Sequence, residues 1–318
     1  MKTFISVFVF TPFILTFIGS HAQNEQQEIN DFPILKGPYL GQKPPGMKPE
    51  IFAPGIVSRI DYFEHSSIYL TPKMDEMYWI ADSSSAKDRK VFYIKMENGN
   101  WTLPKSADFC EHYSNSNLSF SEDGSRLYFT SRIPMNKAND SIDIWKQVKD
   151  PDIWYVNRTK SGWSEPINLS KIINTDESQA LGIILKNGTV YYSDYNNIFR
   201  SELKNDVYQK PEKLEYPINT DEFDLAPFVS DDESYMIFES MRQGGFGGAD
   251  LYVSFKGKDG EWMNPINLGP NINSGGHERS PYVSPDKKFL FFWRVTDGSD
   301  IYWVSAKIIE ELKPGYFK

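Results

Sequence analysis

The chain has 318 residues, of which 40% are hydrophobic and 15% aromatic, so it can build a hydrophobic core and is not a disordered protein. Its 43 acidic and 34 basic residues argue against a nucleic acid or an anionic membrane surface as the main partner, because both favour patches rich in lysine and arginine. A single cysteine, Cys110, excludes an intramolecular disulfide and a multi-cysteine metal site.

Residues 1–22 predict a secretory signal peptide. Lys2 is followed by an apolar stretch, Phe4 to Ile18, and by a small-x-small end at Ser20 and Ala22, which is the order of features in export signals. The apolar stretch is short for a membrane span, so an uncleaved anchor is the less favoured alternative. No cysteine stands at the cleavage site to carry a lipid. Because export without a disulfide-forming pair is typical of bacteria, we expect a periplasmic or secreted protein with no membrane insertion after cleavage.

Residues 23–49, rich in Gln, Gly, Lys and Pro, predict a lead-in arm, and most of the remaining chain consists of repeats. Each repeat begins with a glutamate and continues with an apolar strand and a turn rich in Ser, Asp or Gly. A strand rich in aromatic residues ends this first half. Three copies are clear and two are weaker. They span residues 111–133, 222–242 and 278–294 and, in the weaker form, 64–82 and 177–194.

The second half of each repeat adds two more strands. The third strand opens with an Asp-apolar-aromatic group, as at Asp250-Leu251-Tyr252, and a Trp-x-x-Pro group leads into the fourth, as at Trp163 and Trp262. Proline suits an outer edge strand, where a missing N–H costs little. Four strands per repeat at this repeat length predict the blades of a β-propeller. The recurring Trp-x-x-Pro group makes a β-sandwich the poorer alternative.

We predict an all-β protein with five four-stranded propeller blades over residues 50–309, with six blades as the alternative, and a short tail over 310–318. Only five repeats are visible, and the last lacks its Trp-x-x-Pro strand. The stretch from Glu50 to Ser58 resembles that missing strand. An N-terminal strand in this place would complete the last blade and close the ring, so that no sheet edge stays open.

Three segments carry a resemblance to a known family. Residues 121–131 (SEDGSRLYFTS), 244–254 (GGFGGADLYVS) and 262–273 (WMNPINLGPNIN) resemble the WD40-like PD40 repeats, which are found in the propeller domain of TolB and in many bacterial envelope proteins. The resemblance extends over residues 50–309. It implies a propeller fold and a place in the cell envelope, but it implies little about chemistry, because one fold hosts many functions.

Propeller topology places the repeated glutamates at one end of the axis. The linkers between blades share a face with the loops between second and third strands, and each glutamate precedes a first strand, which lines the axis. Histidines stand beside three of the glutamates, and arginines close three of the second strands. The predicted ligand-binding set is Glu64, His65, Glu111, His112, Arg132, Glu177, Glu222, Arg242, His277, Glu278 and Arg294.

Three interpretations of this ring are open. The glutamates can be structural, capping backbone N–H groups of the next blade or pairing with arginine, and their repetition in every unit favours architecture. They can also line a cup for a polar peptide, a sugar or a cation. The third interpretation is a metal site, but the histidines and carboxylates lack metal-ligand spacing, so no metal and no cofactor is predicted.

Other candidates for a chemical site have structural explanations. The glycine run within residues 244–248 lacks the Lys-Ser/Thr ending of a phosphate loop and predicts a wide blade loop. The sequence has no Gly-x-Ser-x-Gly elbow, so an α/β-hydrolase reading has no support. Trp154, Trp163 and Trp262 predict packing between blades rather than a platform for sugars.

We predict a non-enzymatic, monomeric binding module of the bacterial envelope, with an envelope protein or a glycan as its partner and with no catalytic residue. The alternative is a five-bladed glycoside-active enzyme that uses two axial carboxyl groups, one of them protonated. Such an enzyme needs one or two acids in an environment unlike that of the rest. The five glutamate positions look equivalent in the sequence, which favours binding.

Overall fold

The computed structural model describes residues 34–83, 89–110, 113–134, 150–175 and 177–315. The predicted signal peptide, Glu111 and His112 therefore lie outside the described residues. The chain divides into two units, and of the first, Met1–Leu35, the described residues are Ile34 and Leu35. The strands and the helix that follow belong to the second unit, Lys36–Lys318.

Five antiparallel sheets of four or more strands follow one another along the second unit and form the blades of a five-bladed β-propeller. The first strand of the chain, β1 (Glu50–Ile51), belongs to the last sheet. Blade 1 comprises β2 (Tyr62–Glu64), β3 (Tyr69–Leu70), β4 (Glu76–Ser83), β5 (Lys90–Glu97), β6 (Asn100–Trp101) and β7 (Lys105–Ser106). Blade 2 comprises β8 (Asn115–Phe120), β9 (Arg126–Ser131), β10 (Asp152–Thr159), β11 (Gly162–Trp163) and β12 (Ile167–Asn168).

The other three blades repeat the same order of strands. Blade 3 comprises β13 (Ala180–Ile184), β14 (Val190–Ser193), β15 (Ile198–Ser201) and β18 (Glu212–Lys213), with a hairpin of β16 (Leu203–Lys204) and β17 (Val207–Tyr208). Blade 4 comprises β19 (Asp224–Val229), β20 (Tyr235–Ser240), β21 (Asp250–Phe255) and β22 (Ile266–Asn267). Blade 5 comprises β23 (His277–Val283), β24 (Phe289–Val295), β25 (Ser299–Ser305) and β1.

The two ends of each blade carry different connections, because successive strands run in opposite directions. One end carries the linkers between blades and the loops between second and third strands, and we call it the linker face. The other end carries the turns between first and second strands and the connections to the fourth strands, and we call it the turn face. The predicted ligand-binding residues that the structure describes belong to the linker face.

The N-terminal strand closes the ring, as predicted. β1 pairs antiparallel with β25, with Glu50 opposite Trp303, and the next residue continues the ladder, since Phe52 N donates to Ile301 O at 2.8 Å. The paired segment is residues 50–52, which is shorter than the predicted stretch. The last blade thereby gains its fourth strand from the other end of the repeat array.

The part of the predicted arm that belongs to the second unit, from Lys36 onward, packs against both blades that flank this closure. The indole Nε1 of Trp101, in blade 1, donates to Gly37 O at 2.8 Å. The Tyr39 hydroxyl donates to Asp286 of blade 5 at 2.7 Å, and the Tyr39 ring lies edge-on to Phe289 with the ring centroids 4.9 Å apart. The arm therefore bridges blade 1 and blade 5 ahead of β1.

The hydrophobic core lies between neighbouring blades. Between blades 4 and 5, for example, Leu251 and Val253 pack with Leu290 and Phe292. When a sheet is covered on both faces, successive residues of its inner strands are buried, so the sequences of these strands are almost continuously apolar. All of β21 is buried in this way.

The tryptophans of the repeats pack between blades, as predicted. Trp154 is buried in the cluster between blades 1 and 2. The Trp163 ring lies under the guanidinium of Arg158, 4.1 Å from its centroid, and its Nε1 donates to the Tyr78 hydroxyl of blade 1 at 3.2 Å. Trp262 packs against a core cluster shared by blades 3 and 4.

One helix, α1 (Lys307–Leu312), follows the last strand. It begins ahead of the predicted tail at 310–318, because Ile308 and Ile309 are buried in the core between blades 4 and 5. Two short 3-10 turns lie at Pro38–Gly41 and Asp108–Cys110. Within the described ranges, no helix combines the length and the hydrophobicity that a membrane span requires.

Candidate functional site

Three linkers share a sequence group that the glutamate pattern does not reveal. Ile-Asn-Ser/Thr stands at residues 173–175, 218–220 and 272–274. The asparagine of the last group clamps the third strand of the preceding blade, since Asn273 Nδ2 donates to Leu251 O at 3.0 Å and Asn273 Oδ1 accepts from Leu251 N at 2.8 Å. The same pair of bonds joins Asn174 to Ile153 and Asn219 to Ile198.

In blade 5 a buried glutamate follows this group. Glu278 accepts hydrogen bonds from the backbone N and the hydroxyl of Ser274, at 2.9 and 2.6 Å. It also pairs with Arg294, whose Nε lies 2.8 Å from Glu278 Oε1, and Arg294 donates to Ile272 O at 2.6 Å. The carboxylate thus ties the linker to the end of the second strand of its own blade.

In blade 4 an aspartate has the same position and the same kind of contacts. Asp224 accepts from the backbone N and the hydroxyl of Thr220, both at 2.7 Å, and pairs with Arg242 at 2.7 Å. Arg242 also donates to Ile218 O at 2.8 Å. Because these buried carboxylates make their bonds within the fold, the contacts favour the structural interpretation of this part of the predicted ring. We call each carboxylate–arginine pair a linker brace.

The structure corrects the predicted register of two glutamates. The backbone N–H groups of Glu177 and Glu222 donate to the hydroxyl of the threonine two residues earlier, at 3.3 and 3.2 Å, as Gly276 does with its serine in blade 5. Both side chains are exposed. The brace position lies two residues later, at Gln179 in blade 3 and Asp224 in blade 4.

In blade 2 an amide opens the first strand. The Nδ2 of Asn115 donates to the carbonyl oxygens of Arg89, Cys110 and Tyr113, at 2.9, 3.1 and 2.6 Å. The predicted Arg132 is half-buried near Arg89. Burial and the charge of Arg132 lower the pKa of Arg89. Among the described residues of this blade, an amide therefore holds the start of the first strand to the linker.

Glu64 in blade 1 is buried, and no described lysine, arginine or histidine forms an ion pair with it. Its Oε1 accepts from Arg59 N at 3.3 Å, and its Oε2 has no hydrogen-bond partner in the described part of the chain. Ala81 faces Glu64 across the strand pair, whereas Arg294 faces Glu278 in blade 5. Burial raises the pKa of Glu64 to about 8, so this carboxyl group is protonated at neutral pH.

We expect Glu64 to make the protein less stable as the pH rises from 4.5 to about 8. Across this interval the folded state keeps a proton that the unfolded state has lost, so the free energy of unfolding falls by up to about 1.4 kcal/mol per pH unit. Glu64→Gln should remove this slope, because an amide does not titrate. Denaturant unfolding at several pH values measures this slope, and Glu97→Gln, at an exposed glutamate, is the control. If the free energy of unfolding depends on pH in the same way for the wild type and Glu64→Gln, Glu64 does not have the raised pKa.

The predicted His65 has structural partners. Its Nε2 lies 2.8 Å from Asp82 Oδ2, and its ring packs against Phe63 and Trp293, with ring centroids 5.1 and 6.1 Å apart. Burial and the nearby Arg89 lower the pKa of His65. The ring is therefore neutral at pH 7 and holds two aromatic side chains in place at the linker face.

The glycine run lies in the wide loop between β20 and β21, at residues 241–249, as the sequence predicts. Gly248 N donates to Gly276 O at 2.7 Å, and Ala249 N donates to Nδ1 of the predicted His277 at 3.0 Å. A Cβ atom at Gly248 would collide with the His277 ring. The glycines thus let the loop pack closely on the next linker, and Phe246 at its tip is 49% exposed.

Exposed hydrophobic side chains concentrate on the linker face. Ten large hydrophobic residues are exposed among those that the structure describes. Three of them, Ile34, Ile167 and Val207, lie in the N-terminal segment, an outer strand and a turn-face hairpin. The other seven lie in or beside linkers and loops of the linker face: Ile60, Phe63, Ile172, Tyr195, Tyr216, Phe223 and Phe246.

The propeller axis is closed halfway along its length. Four first strands carry a β-bulge, at Asn117, Gly182, Ala226 and Ser280, where the strand register shifts. Ser280 Oγ of blade 5 lies 3.4 Å from Asn117 Oδ1 of blade 2, within hydrogen-bond distance. The cavity left between these strands has a volume of about 20 Å³. The predicted axial cup is therefore shallow at this end.

Sequence reasoning missed one buried acid near the axis. Glu239, in β20, accepts from Ser280 N at 3.1 Å and lies 4.0 Å from Arg279. Burial raises the pKa of Glu239. It stands in an aromatic strand, where the repeat pattern does not mark it. The described ranges contain no cluster of three or more His, Cys, Asp or Glu side chains that could hold a metal ion.

No family model matches the sequence, and no curated protein matches it. The chain is similar in structure to an auxiliary nutrient binding protein from Bacteroides thetaiotaomicron, with 12% identity over 84% of this chain and 62% of that one and a TM-score of 0.43. It is also similar to the β-propeller domain of Cps50 from Myceliophteria thermophila, with 9% identity over 74% of this chain and 66% of that one and a TM-score of 0.40.

A prolyl endopeptidase is similar over 78% of this chain, with 8% identity and a TM-score of 0.42. The chain spans 40% of the length of that peptidase and 35% of the length of a puromycin-hydrolyzing peptidase from Mycobacterium tuberculosis. These likenesses are distant, and they do not bear on what this chain binds.

Proposed function

We propose that this five-bladed propeller is a non-enzymatic binding module that holds a segment of another protein against its linker face. The observation that carries the proposal is the concentration of seven of the ten exposed large hydrophobic residues, among those described, on that face. Apolar groups concentrated on a protein surface mark sites of interaction. Aromatic side chains in particular serve as the anchors of protein interfaces.

Support comes from the rigid presentation of these anchors. The Tyr195 hydroxyl donates to Asp150 Oδ1 at 2.5 Å, which ties the loop of blade 3 to blade 2. Phe63 is held by the rings of His65 and Trp293, and the loop that carries Phe246 is fixed to the next linker. Anchors that are already in place lose little conformational entropy on binding.

The charges of the linker face indicate the chemistry of the partner. Exposed acidic residues lie in the linkers and loops of this face, and Asp61 among them already pairs with Arg59 at 2.7 Å. They include Asp61, Glu177, Asp221, Glu222 and Asp297. A partner segment that combines apolar residues with lysine or arginine would complement this surface, because matched charges steer association and fix register. In this proposal Glu177 and Glu222 keep the ligand-binding role that the sequence assigns to them.

The expected equivalence of the five glutamates does not hold, because Glu64 is protonated while Glu278 is tied to Arg294. The full burial of both carboxyl groups still favours binding over glycoside hydrolysis. A glycosidase needs a protonated carboxyl and a second carboxylate on either side of the scissile bond. Glu278 and Asp224 are tied to arginine, and the protonated Glu64 is fully buried. None of these three carboxyl groups can reach a substrate without rearrangement of its linker.

The resemblance to PD40 repeats supports a role for the proposed module in the bacterial envelope, with export by the predicted signal peptide over residues 1–22. The turns between the first and second strands of the blades support the assignment of the repeats. In three of them a serine hydroxyl donates to an aspartate two residues later, at 2.7 to 2.8 Å. The pairs are Ser121–Asp123, Ser230–Asp232 and Ser284–Asp286.

Replacing three linker-face anchors together, Tyr195→Ala, Phe223→Ala and Phe246→Ala, should remove partner binding without loss of stability. Each truncation of an interface anchor costs about 1 kcal/mol or more. The mature chain, residues 23–318, is immobilised and exposed to an envelope extract. We expect one set of proteins captured by the wild type and lost by the triple variant, with the affinity for the purified partner at least about fivefold weaker for each single change.

The matched control is the pair Ile167→Ala and Val207→Ala, which truncates exposed hydrophobic residues away from the linker face. It should capture the same proteins as the wild type. A glycan array is run in parallel. Binding to a glycan that the triple variant retains, or capture that the triple variant does not weaken, would overturn the proposal.

A further inference from the structure

The turn face has a cavity at the other end of the axis, where the sequence predicts no site. It is a funnel of about 420 Å³, and the ends of all five first strands line it. The contact between Asn117 and Ser280 separates it from the linker face, so the funnel is blind. Its volume lies within the range of small-molecule sites.

The floor of the funnel is apolar and aromatic. Phe120, Ile183, Phe228 and Tyr282 contribute side chains from four blades. The Tyr282 hydroxyl is already bonded to the backbone of Leu70, whose N donates to it at 3.2 Å and whose O lies 3.3 Å from it. The floor therefore offers hydrophobic surface rather than free polar groups, and it favours a ligand with an apolar or aromatic body.

The rim of the funnel is asymmetric in charge. On the side of blades 2, 3 and 4, the Lys186 ammonium lies between two carboxylates, 3.3 Å from Glu122 and 3.6 Å from Asp231. One ammonium group thus pairs with two carboxylates, and the side chains of Glu122 and Asp231 are both exposed. On the side of blades 1 and 5, Pro72 and Pro285 line the rim.

A third carboxylate adds to the negative side. Hydrogen bonds from Ser230 and Ser234 hold the pKa of Asp232 down, at about 2, against the effect of its partial burial. Lys287 also lines the funnel. With three carboxylates and two lysines in its lining, the funnel has a net charge of −1 and room for one further cation.

We propose that the turn-face funnel binds a small amphipathic cation. An apolar or aromatic body fills the funnel against Phe120 and Phe228, and one ammonium or guanidinium group lies beside the carboxylates of Glu122 and Asp231. An aromatic face attracts such a group as well, which adds to the charge pairing. This site is independent of the proposed linker-face function, because it lies at the opposite end of a closed axis.

The test compares tryptamine with indole-3-propionate, two probes with the same ring and opposite charge, by calorimetric titration of the mature chain. We expect tryptamine to bind at least about tenfold more tightly at low ionic strength, with a preference that shrinks in high salt. The double variant Glu122→Gln and Asp231→Asn should weaken tryptamine binding by about tenfold. The matched change Glu97→Gln, at the exposed end of β5 and outside the funnel lining, should not.

A second variant tests the location of the site. Ile183→Lys places a cation of the protein itself in the funnel and should abolish tryptamine binding, with thermal unfolding measured to confirm the fold. The proposal is overturned if tryptamine does not bind up to about 10 mM, if both probes bind equally, or if the Glu122 and Asp231 variant binds as the wild type does. Tryptamine binding that survives Ile183→Lys in a folded protein would also overturn it.

Discussion

Truncation of Phe52 to alanine should destabilise the protein by about 3–5 kcal/mol. Phe52 is fully buried, and its ring lies edge-on to Phe291 and Trp303 of blade 5, with both centroid distances at 5.2 Å. The loss therefore leaves a cavity at the point where the N-terminal strand joins the last blade. Denaturant unfolding of the mature chain measures the change in the free energy of unfolding.

Phe246→Ala is the matched control, because it removes the same side chain from an exposed position and should change stability by less than about 0.5 kcal/mol. A stronger test deletes residues 23–60, which removes β1 and the arm. The exposed edge of β25 should then make the protein aggregate. A deleted chain that stays monomeric and as stable as the full mature chain would contradict closure by β1.

Arg294→Ala and Arg242→Ala should each cost about 3–5 kcal/mol, because each leaves a buried carboxylate without its cation. Glu278 and Asp224 are fully buried and lie 2.8 and 2.7 Å from these arginines. We expect the double variant to unfold at room temperature or to lose most of its stability. Circular dichroism during thermal and denaturant unfolding gives the measurement.

Two further variants separate the linker braces from surface charges. Lys95→Ala breaks an exposed ion pair with Glu97 and should cost no more than about 1 kcal/mol. Adding Glu278→Gln to Arg294→Ala should recover part of the loss, because a neutral amide is less costly to bury than a carboxylate. If the arginine variants are as stable as Lys95→Ala, the braces are not structural, and a loss of partner binding in a folded variant would then assign them to a ligand site.

The sequence predicts the propeller because its signals are local and repeat. Strands with aromatic residues, turns of the Ser121–Asp123 kind and Trp-x-x-Pro groups each depend on a few neighbouring residues. Their recurrence gives the number of blades, and the missing fourth strand of the last repeat indicates the closure near Glu50. The resemblance to PD40 repeats rests on the same local groups, and the family itself stays a proposal.

The site is harder to predict, because it depends on which residues of different segments meet. Glu177 and Glu222 match the repeat pattern by residue type, yet the hydroxyl two residues earlier puts them at an exposed turn. The recurring Ile-Asn-Ser/Thr group marks the correct register and is visible in the sequence. The structural role of this group is visible only in the structure, where Asn273 bonds to the backbone of Leu251 in a strand of the preceding blade.

The sequence by itself determined the four-stranded repeat, the five blades and the need for a strand from the N-terminus, because these follow from hydrophobic pattern and turn chemistry along short stretches of chain. Tertiary structure alone decided that Glu278 has an arginine while Glu64 faces an alanine and stays protonated. It also decided that the axis closes at Asn117 and opens as a funnel on the turn face. The physical reason is that charge pairing, desolvation and cavity shape depend on distances between residues far apart in the chain, and no local pattern encodes those distances.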